Sequence, residues 1–243
     1  MAPDTLMGGV RYCRQAPFYS PEMSMDHVSK CREVLQVVST VLRAQSDDGV
    51  TNEQKLCRLS SVLQNQNSGT RGAGLTGGQL QEALWVGMLT LGDRRFAARS
   101  PSAVVTDADY YFNDYPISHK TIGWAGSGAL ALAWSKNPPG GIQRTEFKAS
   151  MAIALTHRPA TRGQWEGIEN GYYLVPVDYL ATSIRLSSNN KTDSLIDTRH
   201  VLDALRYAAS QSSMIPLAYD HEWGKGKVLS TWRVGLKAVS DAI

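Results

Sequence analysis

Phe147-Lys148-Ala149-Ser150-Met151-Ala152-Ile153-Ala154-Leu155-Thr156 is the stretch whose reading decides the fold class. Phe147, Ala149, Met151, Ile153 and Leu155 alternate with Lys148, Ser150, Ala152, Ala154 and Thr156, a period of two that places the larger apolar set on one face of a strand. Leu130, Leu132 and Trp134 alternate in the same way, and Asn137-Pro138-Pro139-Gly140-Gly141 separates the two runs, so they are expected to form a hairpin. Tyr172 to Val177 and Thr182 to Leu186 read as further strands, with Pro176 pushing the first toward an edge or a bulge.

Toward the N-terminus the period changes to that of a helix. Ser20-Pro21 offers a cap and a preset first turn, and Val28, Cys31, Leu35, Val38 and Leu42 recur every three or four residues, with Val34, Val37 and Val41 as a second stripe. A core helix over residues 22–45 follows. Thr51 and Gln54 have capping-box spacing ahead of Leu56, Leu59 and Leu63, and Thr76 and Gln79 repeat it ahead of Leu80, Leu84, Met88 and Leu91, with Gly92 as terminator. Between them, the polar, glycine-rich residues 65–78 are expected to be a mobile surface loop. Beyond the strands, Asp197 or Thr198 caps a helix carrying Val201, Leu205 and Ala208, and the C-terminal segment around Leu229, Trp232, Leu236 and Val239 reads as helix in preference to strand. Helices first and strands second predict an α+β fold: an extended arm over 1–20, a helical lobe over 21–98 and an antiparallel β-rich lobe with C-terminal helices over 99–243, which also fits one continuous domain.

The chain has 243 residues, enough to bury a core without disulfide or metal support, and a net charge of +3 from scattered Lys and Arg. Its three cysteines, Cys13, Cys31 and Cys57, do not suggest a disulfide framework. With no apolar leader and no membrane-length apolar run, the expectation is a soluble, cytoplasmic protein, or a virion protein if viral.

No motif for catalysis emerges. Gly72-Ala73-Gly74-Leu75-Thr76-Gly77 has dinucleotide-loop spacing but follows a polar stretch instead of a strand. Gly126-Ser127-Gly128 has the small neighbours of a nucleophile elbow, with His157, His200 or His221 as possible bases, yet runs into a strand where a helix is needed. Asp107 and Asp109, with Asp114 nearby, have the carboxylate density of a Mg²⁺ or Mn²⁺ site. The adjoining Tyr110, Tyr111, Phe112 and Tyr115 read more simply as a loop with its rings turned inward. His221-Glu222 and the cysteines with His27 lack zinc spacing, so neither metal nor small-molecule cofactor is expected.

The remaining signal concerns binding. Arg144, Lys148, Arg158 and Arg162 with Trp165, and Lys225, Lys227 and Arg233 near Trp223 and Trp232, combine cations with indole faces in the manner of a surface for a polyanion, either RNA or an acidic membrane. In general character, though in no motif, the chain resembles small matrix or nucleocapsid proteins of RNA viruses. That resemblance implies a non-enzymatic structural protein that self-assembles, with Phe18 and Tyr19 anchoring the arm on a neighbouring copy. One alternative is a metal-dependent enzyme acting on a nucleotide or phosphorylated substrate through Asp107, Asp109 and His157 or His221. Another is an adaptor module whose partner is a protein bound at the edge strands and the tyrosine cluster.

Overall fold

The computed structural model describes residues 25–67, 77–99, 108–122, 130–131, 148–155, 163–180 and 195–217. Three helices come first: α1 (Met25–Arg43), α2 (Asn52–Asn67) and α3 (Gly77–Gly92). The strands are β1 (Phe96–Ala98), β2 (Tyr110–Phe112), β3 (Tyr115–Ile122), β4 (Leu130–Ala131), β5 (Ser150–Leu155), β6 (Gly171–Val175), β7 (Leu195–Ile196) and β8 (Met214–Pro216), with α4 (Thr198–Ser210) between the last two. The fold is α+β, helices before sheet, as the change of period predicts.

Six strands form one mixed sheet in the order β1-β2-β3-β5-β6-β8. Every pairing is antiparallel except that of β3 with β5, which run parallel in the register Ile117↔Ser150 to Ile122↔Leu155. The expected hairpin between the run at Leu130 and β5 does not form. Leu130 and Ala131 pair instead with Ile196 and Leu195 in a separate two-stranded sheet. Leu132 and Trp134, the strand expected at Thr182–Leu186 and the C-terminal segment lie outside the described residues.

Strand β5 is buried on both faces because helices cover both. Its small residues Ala152 and Ala154 share a core with Val34, Val38 and Leu42 of α1, Leu56 of α2, and Trp85 and Leu89 of α3. Met151, Ile153 and Leu155 on the other face pack with Val201, Leu202, Leu205 and Ala208 of α4. Alanines toward three helices and long side chains toward one let the helical layer approach the sheet closely while the opposite side is filled by volume. β6 follows the same split: Tyr172 and Leu174 belong to the first core, Tyr173 and Val175 to the second. It is an interior strand, and Pro176 stands just beyond its end, where no ladder donor is needed.

The capping box ahead of α2 is formed in both directions: the Thr51 N–H donates to Gln54 Oε1 at 3.1 Å, and the Gln54 N–H to Thr51 Oγ1 at 3.2 Å. Asp197 occupies the N-cap of α4. The buried face of α3 differs from the expected one. Gln81, Trp85 and Leu89 are buried and Leu84 and Met88 are partly buried, whereas Leu91 is 79% exposed. Apolar side chains nearly surround this helix, so periodicity alone does not choose the face; the Trp85 indole, tilted against the Tyr172 ring with centroids 4.8 Å apart, marks the side against the sheet.

Residues 110–122 are a hairpin, not a loop. Asn113 and Asp114 both have positive φ, 44° and 65°, the two-residue turn whose twist matches that of the strands it joins. This turn delivers Tyr110 and Phe112 into the core and sets the register Tyr110↔Ile117. Every feature of the site described next depends on that register.

Candidate active site

At the outer end of the β2–β3 ladder the Asp109 N–H donates to the Ile117 carbonyl at 2.8 Å, so Asp109 and Tyr110 both face Ile117 in a bulge. The Asp109 side chain folds back over β3. Its Oδ2 accepts the His119 backbone N–H at 2.6 Å and the Ser118 hydroxyl at 3.2 Å, and lies 3.9 Å from Lys120 Nζ. Both side chains of the Asp109–Lys120 pair are 19% exposed, so the contact is sheltered but open to a ligand.

Glu82, in the second turn of α3, completes the group. Burial pushes its carboxyl up to about 7, and a hydrogen bond to the Asp109 carboxylate together with that carboxylate's charge pushes the same way, while the Lys120 ammonium opposes them. Glu82 therefore keeps its proton well above the usual carboxylate range, and that proton is its hydrogen bond to Asp109. One helix and two strands supply three chemically active side chains at a single point.

Beneath Lys120 the sheet faces an aromatic core. His119 points into the helical core, fully buried, its ring 5.4 Å from Trp85 and 6.0 Å from Tyr172. Burial holds its pKa down to about 3, so the imidazole is neutral and acts as packing. The hydroxyls of Tyr110 and Tyr172 hydrogen-bond to each other beside it. Because the faces of β3 alternate, anchoring His119 in the core turns Lys120 to the other face, toward Asp109.

The donor set suits a divalent cation. Mg²⁺ and Mn²⁺ take hard oxygen ligands, and Mg²⁺ typically takes one or two carboxylates, filling the remaining positions with water and substrate phosphate. Among the described residues no group of three His, Cys, Asp or Glu gathers, so Glu82 and Asp109 are the protein ligands this region offers.

Of the residues expected from sequence, Asp109 is the one among the described residues that enters this site. Asp114 sits in the hairpin turn at the far end of β2, and His200 lies on α4. His27 bonds to Asp178 at 2.9 Å, away from the carboxylates. Asp107, Ser127, His157 and His221 lie outside the described residues, as do Arg144, Arg158, Arg162, Lys225, Lys227, Arg233, Phe18, Tyr19 and most of the glycine-rich loop. Lys148 is exposed where the chain enters β5, about 16 Å along the strand from Ile153, the partner of Lys120. Trp165, expected as a stacking surface beside those cations, is 4% exposed in the α4 core, so its indole serves packing. Glu82 and Lys120 were not singled out from sequence. Their trace is faint: a carboxylate inside the apolar run Leu80–Val86, and a lysine inside the strand Tyr115–Ile122.

No family model and no curated protein matches the sequence. A solved structure described as "Restriction endonuclease in complex with substrate DNA" is similar over 87% of this chain and 99% of its own, with 15% identity and a TM-score of 0.46. The geometry corrects the expectation of a non-enzymatic, self-assembling protein of matrix or nucleocapsid character: the described residues bring Glu82, Asp109 and Lys120 together, a set of side chains with the chemistry of an active site. No helix among the described residues is long and apolar enough to cross a membrane.

Proposed function

We propose that this protein is a divalent-cation-dependent hydrolase that cuts phosphodiester bonds in nucleic acid. The observation that carries this reading is the meeting of Glu82, Asp109 and Lys120 at the outer end of the β2–β3 hairpin. A divalent cation held there supplies Lewis-acid polarisation of a phosphoryl oxygen and lowers the pKa of bound water. The protein's own part is positional. Ser118 and the His119 backbone N–H fix the Asp109 carboxylate in one orientation. Glu82, as the deprotonated carboxylate, and Asp109 would be the side chains that hold such a cation. Lys120 contributes a fixed positive charge within reach of a phosphate oxygen, where negative charge grows as the bond breaks. An isolated acidic pair would repel a phosphate; the lysine beside it reverses that repulsion at the point of attack.

The reading includes an intracellular setting. Cys31 and Cys57 are buried thiols in no disulfide among the described residues, their pKa values raised by burial to about 11 and about 12. Such thiols are packing residues suited to a reducing compartment.

The test is direct. Purified protein incubated with end-labelled duplex DNA and with single-stranded RNA should cut at least one of them in millimolar Mg²⁺ or Mn²⁺ and neither in excess chelator. Glu82→Gln and Asp109→Asn should each lower the rate by about 10²-fold or more, the usual scale for removing one group that stabilises developing charge. Cleavage that survives both substitutions would defeat the assignment.

A further inference from the structure

The edge of the sheet carries a second cation beside the carboxylate pair. β1 pairs with β2 in the register Ala97↔Tyr111 and Ala98↔Tyr110. One residue further the ladder continues, with the Arg99 N–H donating to the Asp109 carbonyl at 3.2 Å. Ala97, Tyr111 and Pro116 are opposite one another on three adjacent strands, and residues directly opposite project to the same face. Alternation along β3 adds Ser118 and Lys120 to that face, and alternation along β1 adds Arg99.

At this end of the face Ala97 and Arg99 are exposed. Arg99 makes no ion pair among the described residues, unlike Arg95, which chelates Asp93 at 2.8 and 2.9 Å. The guanidinium is a planar fork of donors matched to phosphate oxygens. Two strand spacings, about 10 Å, separate the backbones of β1 and β3, more than one phosphate group spans, so Arg99 and Lys120 together suit a chain bearing successive phosphates.

We propose that Arg99 grips a backbone phosphate next to the one that is cut, which makes the substrate a polynucleotide chain and not a mononucleotide. This rests on the hydrolase reading, yet binding can be tested without turnover. Fluorescence anisotropy of a labelled oligonucleotide in Ca²⁺, across a series of salt concentrations, reads the contact by itself. Arg99→Ala should weaken binding roughly tenfold and reduce the slope of log affinity against log salt by about one, and Arg99→Lys should restore the slope while recovering the affinity only in part. In Mg²⁺ the same Ala variant should raise KM more than it lowers kcat. Circular dichroism and Tm confirm that each variant is folded.

An Arg99→Ala protein with wild-type affinity and wild-type salt slope overturns the inference, and so does a wild-type protein that binds no oligonucleotide. Wild-type protein that binds with the predicted Arg99 dependence but never cleaves in any divalent metal leaves the phosphate contact standing and defeats the hydrolase reading. Loss of Mn²⁺ affinity in Arg99→Ala with an unchanged salt slope would show that the arginine only balances the carboxylates, and would also overturn it.

Discussion

Asp109 Oδ2 accepts the backbone N–H of His119 at 2.6 Å while the next residue, Lys120, brings its ammonium to 3.9 Å from the same oxygen. A single carboxylate oxygen is thereby held by the frame of β3 and by the charge that β3 presents. The side chain between these contacts, His119, is locked in the aromatic core by Trp85, Tyr110 and Tyr172. Core packing and site geometry are therefore two faces of one strand.

The proton held by Glu82 predicts a pH signature. Glu82 is raised from 4.5 to about 7 on folding, so the folded state holds a proton that the unfolded state has released, and this contribution to stability is complete below 4.5 and fades as pH rises toward 7. His119 works the other way: lowered from 6.5 to about 3, it contributes stability above 6.5 that is lost as pH falls toward 3. In metal-free protein the two oppose between pH 4.5 and 6.5. Subtracting the Tm–pH profile of Glu82→Gln from that of wild type should leave a difference that falls from pH 4.5 to 7. A flat difference would mean that Glu82 is not protonated in the fold.

The reciprocal bonds between Thr51 and Gln54 satisfy two donors at the start of α2, so Thr51→Ala should cost about 1 kcal/mol in urea unfolding with no change in the m-value. A loss below a few tenths would mean that solvent replaces the cap.

Gly92 ends α3 for a reason other than the left-handed conformation usual at helix ends. A Cβ there would come within 2.4 Å of Val41 Cγ1 on α1, and a β-branched side chain has little rotamer freedom with which to yield. Gly92→Ala should destabilise the protein by about 1–3 kcal/mol, on the scale of overpacking, despite the exposure of the position. An unchanged urea midpoint would show that α1 and α3 separate without cost.

Much of the fold was legible in the sequence because it is local. The first three helices follow from apolar spacing, and the Thr51 cap from a four-residue pattern. The hairpin at Asn113-Asp114 was also local, but the ring-rich residues flanking it read as a tucked loop, and positive φ at consecutive Asn and Asp is the turn signal that resolves them. The pairing of Leu130 with Ile196 was not legible, since partners far apart in sequence leave no periodic trace. For the same reason Asp109 could be singled out within an acidic segment while Glu82 and Lys120 could not. They meet it only because α3 packs on the sheet and β3 folds back along β2.

The most direct test of the account is the single-turnover cleavage rate of a labelled polynucleotide in Mg²⁺ for wild type and Lys120→Ala, with Mn²⁺ affinity measured on both. The account predicts a rate at least about 10²-fold lower in the variant with the metal still bound, because the carboxylates remain while the charge facing the phosphate is gone. Equal rates in the two proteins, or no metal-dependent cleavage by wild type, would contradict it.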